Sequence, residues 1–321
     1  MAVNWLRRSV LAAAGVSAAL LLAGCGSSTI ESALKPQRLI SFGDGFSDIG
    51  QVGGARYTVN DGSVNNWTLQ LATTYGLALT PASAGGTSYA QGNARVTAHP
   101  DAAGNASTPT VTEQIDKFLA TGNFKETDVV LIGAGAADIV AQMAAVTAGT
   151  QTPEQMLLNA QQAGRDLGAQ VIRTTAAGAK YVVVAGTYNL GRSPWATAIG
   201  QTDGGLLTQA SSKFNAALLV SIVDQGAKVL YVDAAYYFNL LTASHSSYAF
   251  DNATTAVCTS VDTGPGIGIG AAQVNSALCT ASTLLPGADS TKYVFADTVY
   301  FTPAAQRLFG TYAYDRLHAR W

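Results

Sequence analysis

Arg38-Leu-Ile-Ser-Phe-Gly-Asp-Gly-Phe-Ser-Asp-Ile-Gly50 decides the fold. Its first six residues are a short, nearly continuous apolar run, the pattern of a strand buried on both faces. The rest is polar and glycine-rich, the pattern of a loop at that strand's carboxyl end. Similar runs follow at 128–133, 180–186 and 228–233. Helical patterns separate them at 65–75, 111–121, 153–177 and 206–225, and a last one spans 303–320. Pro153 suits a first helical turn behind a Thr152 cap, and Gly178 and Gly226 sit where helices stop. Strand-then-helix alternation predicts one α/β domain: a parallel sheet with helices on both faces. In such folds ligands bind beyond the carboxyl ends of the strands. The quoted loop falls there, and so does Gly133-Ala-Gly-Ala-Ala-Asp-Ile139.

Composition narrows the class. Of 321 residues 48% are hydrophobic and only 12% charged, with 20 acids against 18 bases. A soluble domain usually carries about 25% charge, so a disordered, highly charged chain is excluded. The slight acidity argues against a nucleic-acid partner, which needs clustered Lys and Arg. Three Cys and three His, widely scattered, have no metal-ligand spacing. The run Gly264-Pro-Gly-Ile-Gly-Ile-Gly270 follows no strand and opens no helix, so it is not a dinucleotide site. No cofactor is expected.

The N-terminus reads as an address. Arg7 and Arg8 precede an apolar stretch from Val10 to Ala23, too short for a membrane helix and right for a secretory signal. It ends in Leu22-Ala-Gly-Cys25, which resembles the bacterial lipobox, in which the Cys is acylated and becomes the mature N-terminus. The expectation is a signal over 1–24, a tether over 25–35 and a domain over 36–321. The partner would then be a lipid bilayer, reached through acylated Cys25, and the location the cell envelope. Gly26, in place of a retention Asp, points to the outer membrane. Removing 1–24 deletes two Arg and no acid, so the net charge falls from −2 to −4. An exported, oxidising location predicts that Cys258 and Cys279 pair.

The remaining blocks resemble the SGNH/GDSL family of serine ester hydrolases, a three-layer, flavodoxin-like α/β fold. Gly43-Asp-Gly-Phe-Ser-Asp48 is similar to its Gly-Asp-Ser-x-x-Asp block. Tyr89-Ala-Gln-Gly-Asn-Ala-Arg95 is similar to its second, Gly135-Ala-Ala-Asp138 to Gly-x-Asn-Asp, and Asp297-Thr-Val-Tyr-Phe-Thr302 to Asp-x-x-His-Pro-Thr. Tyr248 to Cys258 looks like a segment of its bacterial lipase branch. The blocks come in family order from Arg38 to the C-terminus.

The resemblance places Asp297 as the catalytic acid and Gly92 as an oxyanion-hole glycine. It also puts Gly45 at the nucleophile, Tyr300 at the general base and Ala137 at the oxyanion Asn. Ester hydrolysis needs an oxygen nucleophile, a base and oxyanion donors. Gly45 has no side-chain oxygen, and a phenol of ordinary pKa ~10 is a poor base at pH 7. Backbone N–H groups of Gly45 and Gly92 would remain in the crevice, able to hold a polar or anionic group without cutting it. The expectation is therefore a non-catalytic lipoprotein binding an acyl ester, a lipid or an acylated glycan. The alternatives are an active esterase using Ser47, with His245 as its base, and a purely structural envelope protein. His99 and His318 read as surface residues. Trp195 and Tyr236-Tyr-Phe238 read as packing or as an apolar wall for an acyl chain.

Overall fold

A computed structural model of the chain describes residues 32–321. The expected signal over 1–24 and the acylated Cys25 lie outside the described residues.

The central sheet is parallel, in the order β1 (Arg38–Gly43), β2 (Asp128–Gly133), β3 (Tyr181–Ala185) and β4 (Val229–Tyr231). Its register is set by Arg38 opposite Asp128, Val129 opposite Tyr181 and Val182 opposite Val229. All six residues of β2 are buried, Asp128 in an ion pair with Arg38 and the rest as their apolar run requires. The far edge of β1 is also used. Ser41 N–H donates to Thr87 O, Tyr89 N–H to Ser41 O and Gln91 N–H to Gly43 O. Only Ser41–Ser88 closes a bridge there. Segment 87–91 thus stands where a flavodoxin-like sheet has its second strand, giving the 2-1-3-4-5 order.

Helices α1 (Trp67–Thr74), α2 (Val111–Thr121), α3 (Ala136–Thr147) and α4 (Pro153–Ala176) follow. They are succeeded by α5 (Pro194–Ala198), α6 (Leu206–Ser221), α7 (Ala234–Ala243) and α8 (Pro303–Arg320). One layer is α2, α3, α4 and α6, in which α4 lies along α6; in the other α1 packs on α8. Helix α7 joins α8 through Phe238 against Phe309, ring centroids 5.3 Å apart. Local chemistry starts these helices. Thr110 and Glu113 form a capping box on α2, and Thr152 and Thr302 cap helices that open with proline. No helix among the described residues is long and apolar enough to cross a membrane.

Several elements differ from the sequence expectation. The helix expected over 206–225 stops at Ser221 and finishes as a 3₁₀ turn, Val223–Gln225. Helices α3, α5 and α7, and the short strands that follow α7, carry no expected pattern. Tyr237 and Phe238 of α7 are core residues, while Tyr236 is exposed.

A small lobe follows α7. In it β5 (Asn252–Ala256) pairs with β8 (Tyr293–Phe295), and β6 (Val261–Asp262) with β7 (Gln273–Val274). Cys258 and Cys279 are joined by a disulfide, Cα atoms 5.9 Å apart. They pack with Val59, Val257 and Ala296 in a core of their own.

Candidate functional site

The site is built at the carboxyl ends of β1 and β2. Gly43 ends β1 with φ +149°, and a Cβ there would lie 2.0 Å from Gly133 O. Only glycine lets the two strand ends approach so closely. Gln114 clamps the turn, accepting from Gly43 N–H at 2.8 Å and donating to Gly43 O at 2.9 Å.

Asp44 then points into the protein, fully buried. One carboxylate oxygen accepts from Phe46 N–H. The other accepts from Gly135, Ala136 and Ala137 N–H at 3.0, 3.1 and 3.4 Å. These are the free N–H groups at the start of α3, whose own N-cap, Gly135, has no side chain to offer. A carboxylate there also answers the helix dipole. Asp48 works in the same way on the loop. It accepts from Gly50 and Gln51 N–H at 2.8 Å with one oxygen and from Gly92 N–H at 2.8 Å with the other.

The five positions singled out in the sequence come together. A Cβ built on Gly45 would sit 2.6 Å from Tyr300 Oη and 2.8 Å from its Cζ. The Tyr300 ring therefore occupies the volume of a residue-45 side chain. A Cβ on Gly92 would meet the Tyr57 ring at 2.0 Å, and the Tyr57 and Tyr300 ring centroids are 5.0 Å apart. Ala137 reaches the cluster through its N–H to Asp44. Asp297 lies beneath, accepting from Val299 and Tyr300 N–H at 2.7 and 2.6 Å and from Ser276 N–H at 2.9 Å. It shapes the turn that delivers Tyr300.

The expected open crevice is absent from this place. Gly92 N–H is committed to Asp48, and two tyrosines cover the two glycines. A cavity of about 10 Å³ remains against Asp44, Ala136, Tyr188 and Tyr300, room for about one water. Ser47, the alternative nucleophile, is fully buried. Its Oγ donates to Gly133 O and accepts from Trp67 Nε1, both at 3.2 Å, and neither group is a base. His99 pairs with Glu113, and His318 packs at a tilt against Tyr314. His245 opens a 3₁₀ turn after α7. Among the described residues no three His, Cys, Asp or Glu are grouped to hold a metal ion.

The electrostatics follow from burial. Desolvation pushes Asp44, Asp48 and Asp138 up to about 6, against the pull of backbone N–H donors and, at Asp138, of Arg95. Asp297 is raised for the same reason, and desolvation holds the Tyr300 phenol protonated well above its ordinary range. The folded state thus binds these carboxyl protons more tightly than the unfolded chain. Their contribution to stability is complete below the ordinary value of 3.8 and drains as pH rises through about 6. The midpoint of urea unfolding is expected to fall between about pH 4 and 6.5. A midpoint that climbs steadily over that range would mean that the N–H donors keep these groups ionised.

Tyr57 and Asp48 complete the closure; the block similarity includes Asp48 but not its task, and no sequence pattern marks Tyr57. Tyr57 lies in an aperiodic loop, and Asp48's partner Gly92 is 44 residues away.

An apolar groove of about 650 Å³ lies along the far half of α3, clear of the closed centre. Ala144 of α3 and Ala148 just after it form one wall, Trp195 and Ile199 a second, and the glycine-rich loop at 263–271 the third. Asn93 Nδ2 pins that loop by donating to Gly266 O at 2.9 Å.

No family model matches the sequence, and no curated protein does. Solved structures of similar fold include an inhibitor-bound aryl esterase from M. smegmatis. It is 16% identical at a TM-score of 0.45, over 88% of this chain and 99% of that one. A protein from Lactobacillus plantarum is 9% identical at 0.43, over 90% and 99%. One from Bacillus subtilis is 12% identical at 0.42, over 88% of this chain and 56% of its own.

Proposed function

We propose that this chain is an exported lipoprotein whose SGNH/GDSL ester-hydrolase-like domain binds an acyl ester, lipid or acylated glycan and does not cleave it. One observation carries the reading: the Tyr300 ring lies where a nucleophilic side chain at residue 45 would have to be. Losing a triad Ser or His costs about 10⁶ in rate, and the losses act as a unit. Here the nucleophile, the base and the oxyanion Asn are all replaced, and a second tyrosine seals the glycine that would be left.

The ligand's apolar part belongs in the groove beside α3. Its volume lies in the ordinary range of small-molecule sites, and it is walled by Ala, Ile, Pro and Trp with two Thr. Trp195 reports on it from the wall. A p-nitrophenyl ester of a twelve-carbon acid is expected to bind, shift Trp195 fluorescence and be recovered intact. Ala144→Trp fills the groove from an exposed helix position. It is expected to weaken binding by about tenfold, a loss of about 1.4 kcal/mol, with Tm unchanged. Binding unaffected by Ala144→Trp would remove the groove from the reading, and consumption of the ester would remove the reading itself.

A further inference from the structure

The strands of a parallel sheet all start at one edge, and here that edge is distinctive. The chain enters the domain beside it: Leu34 N–H donates to Trp321 O, and the Trp321 ring packs on Tyr181, the first residue of β3. Gln37 N–H donates to Thr127 O, just before β2, and Lys228 O accepts from Val182 N–H, just before β4. Arg320 reaches across to Gly226 O.

Exposed on this edge are Lys35, Lys125, Lys180, Lys228 and Arg320, against Glu126 and Asp224. Glu126 is engaged by Lys180 at 2.6 Å. The edge is thus basic in a chain whose net charge is −2. The opposite edge holds the buried acids Asp44, Asp48, Asp138 and Asp297. Beside the basic residues two large apolar side chains face solvent: Val220 in the last turn of α6, 74% exposed, and Val223 in the 3₁₀ turn after it, 72% exposed.

Nine residue steps lead from Cys25 to Leu34. Fully extended they span about 30 Å, at roughly 3.3–3.6 Å per residue. An anchor on so short a leash holds the point of entry near the membrane. Basic side chains then meet anionic headgroups, each adding about fivefold to surface partitioning (about 1 kcal/mol per Lys or Arg). Exposed valines add apolar contact at the headgroup boundary.

We infer that the amino edge of the sheet lies flat on an anionic lipid bilayer, turning the closed centre away from it. This rests on the reading of Cys25 as an acylated anchor. The test uses the full chain, purified from membranes in detergent and placed on vesicles of phosphatidylcholine with or without phosphatidylglycerol. Amide hydrogen exchange at 124–128 and 222–228 is expected to slow severalfold on the anionic vesicles only. The effect is expected to vanish in high salt and in the Lys35→Glu/Lys125→Glu/Lys228→Glu variant, whose Tm in detergent is unchanged. Flotation with the vesicles and the mass of the Cys25 peptide report the anchor separately. An acylated chain that floats without protection at this edge, or is protected elsewhere, overturns the inference and leaves the anchor standing. Protection that follows protein concentration and not lipid composition assigns the edge to a second copy and also overturns it. An unmodified Cys25 with no flotation removes the anchor and the inference together.

Discussion

Truncating Tyr300 to alanine is expected to cost about 3–5 kcal/mol of stability, the range for emptying a buried aromatic site. Tyr300 is 3% exposed, packed at a tilt against Tyr57 and seated on Gly45. Neither partner can follow it into the void. Gly45 has no side chain, and Tyr57 rests on the Gly92 backbone. The complementary change is Gly45→Ser, which forces a Cβ to within 2.6 Å of the phenol oxygen. Alone it is expected to cost about 1–3 kcal/mol by overpacking. The two changes share one volume, so they are expected not to add. In the Tyr300→Ala background Gly45→Ser becomes cheaper by at least about 1 kcal/mol. Urea unfolding of the two single variants and the double variant measures this. Simple additivity would mean that the ring does not occupy the residue-45 site.

The second large effect belongs to the disulfide. Replacing Cys258 and Cys279 by serine opens a loop with a sequence separation of 21. The chain-entropy model puts the loss at about 3 kcal/mol. The bond matters to the site because the lobe it closes grips both sides of it. Cys279 O accepts from Asn60 N–H at 2.8 Å and from Asn60 Nδ2 at 3.1 Å, which fixes the loop that carries Tyr57. Ser276 N–H, three residues earlier, donates to Asp297. The double serine variant is therefore expected to exchange amides faster in 56–60 and 276–280 together, while β2 keeps its protection. Faster exchange confined to 276–280 would show that the Tyr57 loop stands without the lobe.

The parts of this architecture visible in the sequence are those with local causes. Strand β2 carries the apolar run Val129–Ile132, and α4 carries its cap in the adjacent residue, Thr152. Helix α3 has no such signal. Its cap is Asp44, 91 residues before Gly135, and its first turn is buried alanine. Segment 87–91 makes only isolated bridges, from Ser88 to Ser41 and to Pro81, and forms no continuous strand. Motif similarity named Gly45, Gly92, Ala137, Asp297 and Tyr300, and the fold gathers them. Substitution at those positions predicts lost groups, not what replaces them. That the Tyr300 ring turns onto Gly45, that Tyr57 closes over Gly92, and that Asp48 takes the Gly92 N–H are outcomes of tertiary packing. For the same reason Ser47 reads as available in sequence and is locked between Gly133 and Trp67 in the fold.

The central claim is that the centre is closed by Tyr300 and does no ester chemistry. Initial rates on p-nitrophenyl acetate and butyrate test it most directly, with wild type compared against buffer, against Ser47→Ala, and against Gly45→Ser/Ala137→Asn/Tyr300→His. The account predicts wild type and Ser47→Ala both at the buffer rate, with any turnover confined to the triple variant. Wild-type turnover well above buffer, lost in Ser47→Ala, would contradict it.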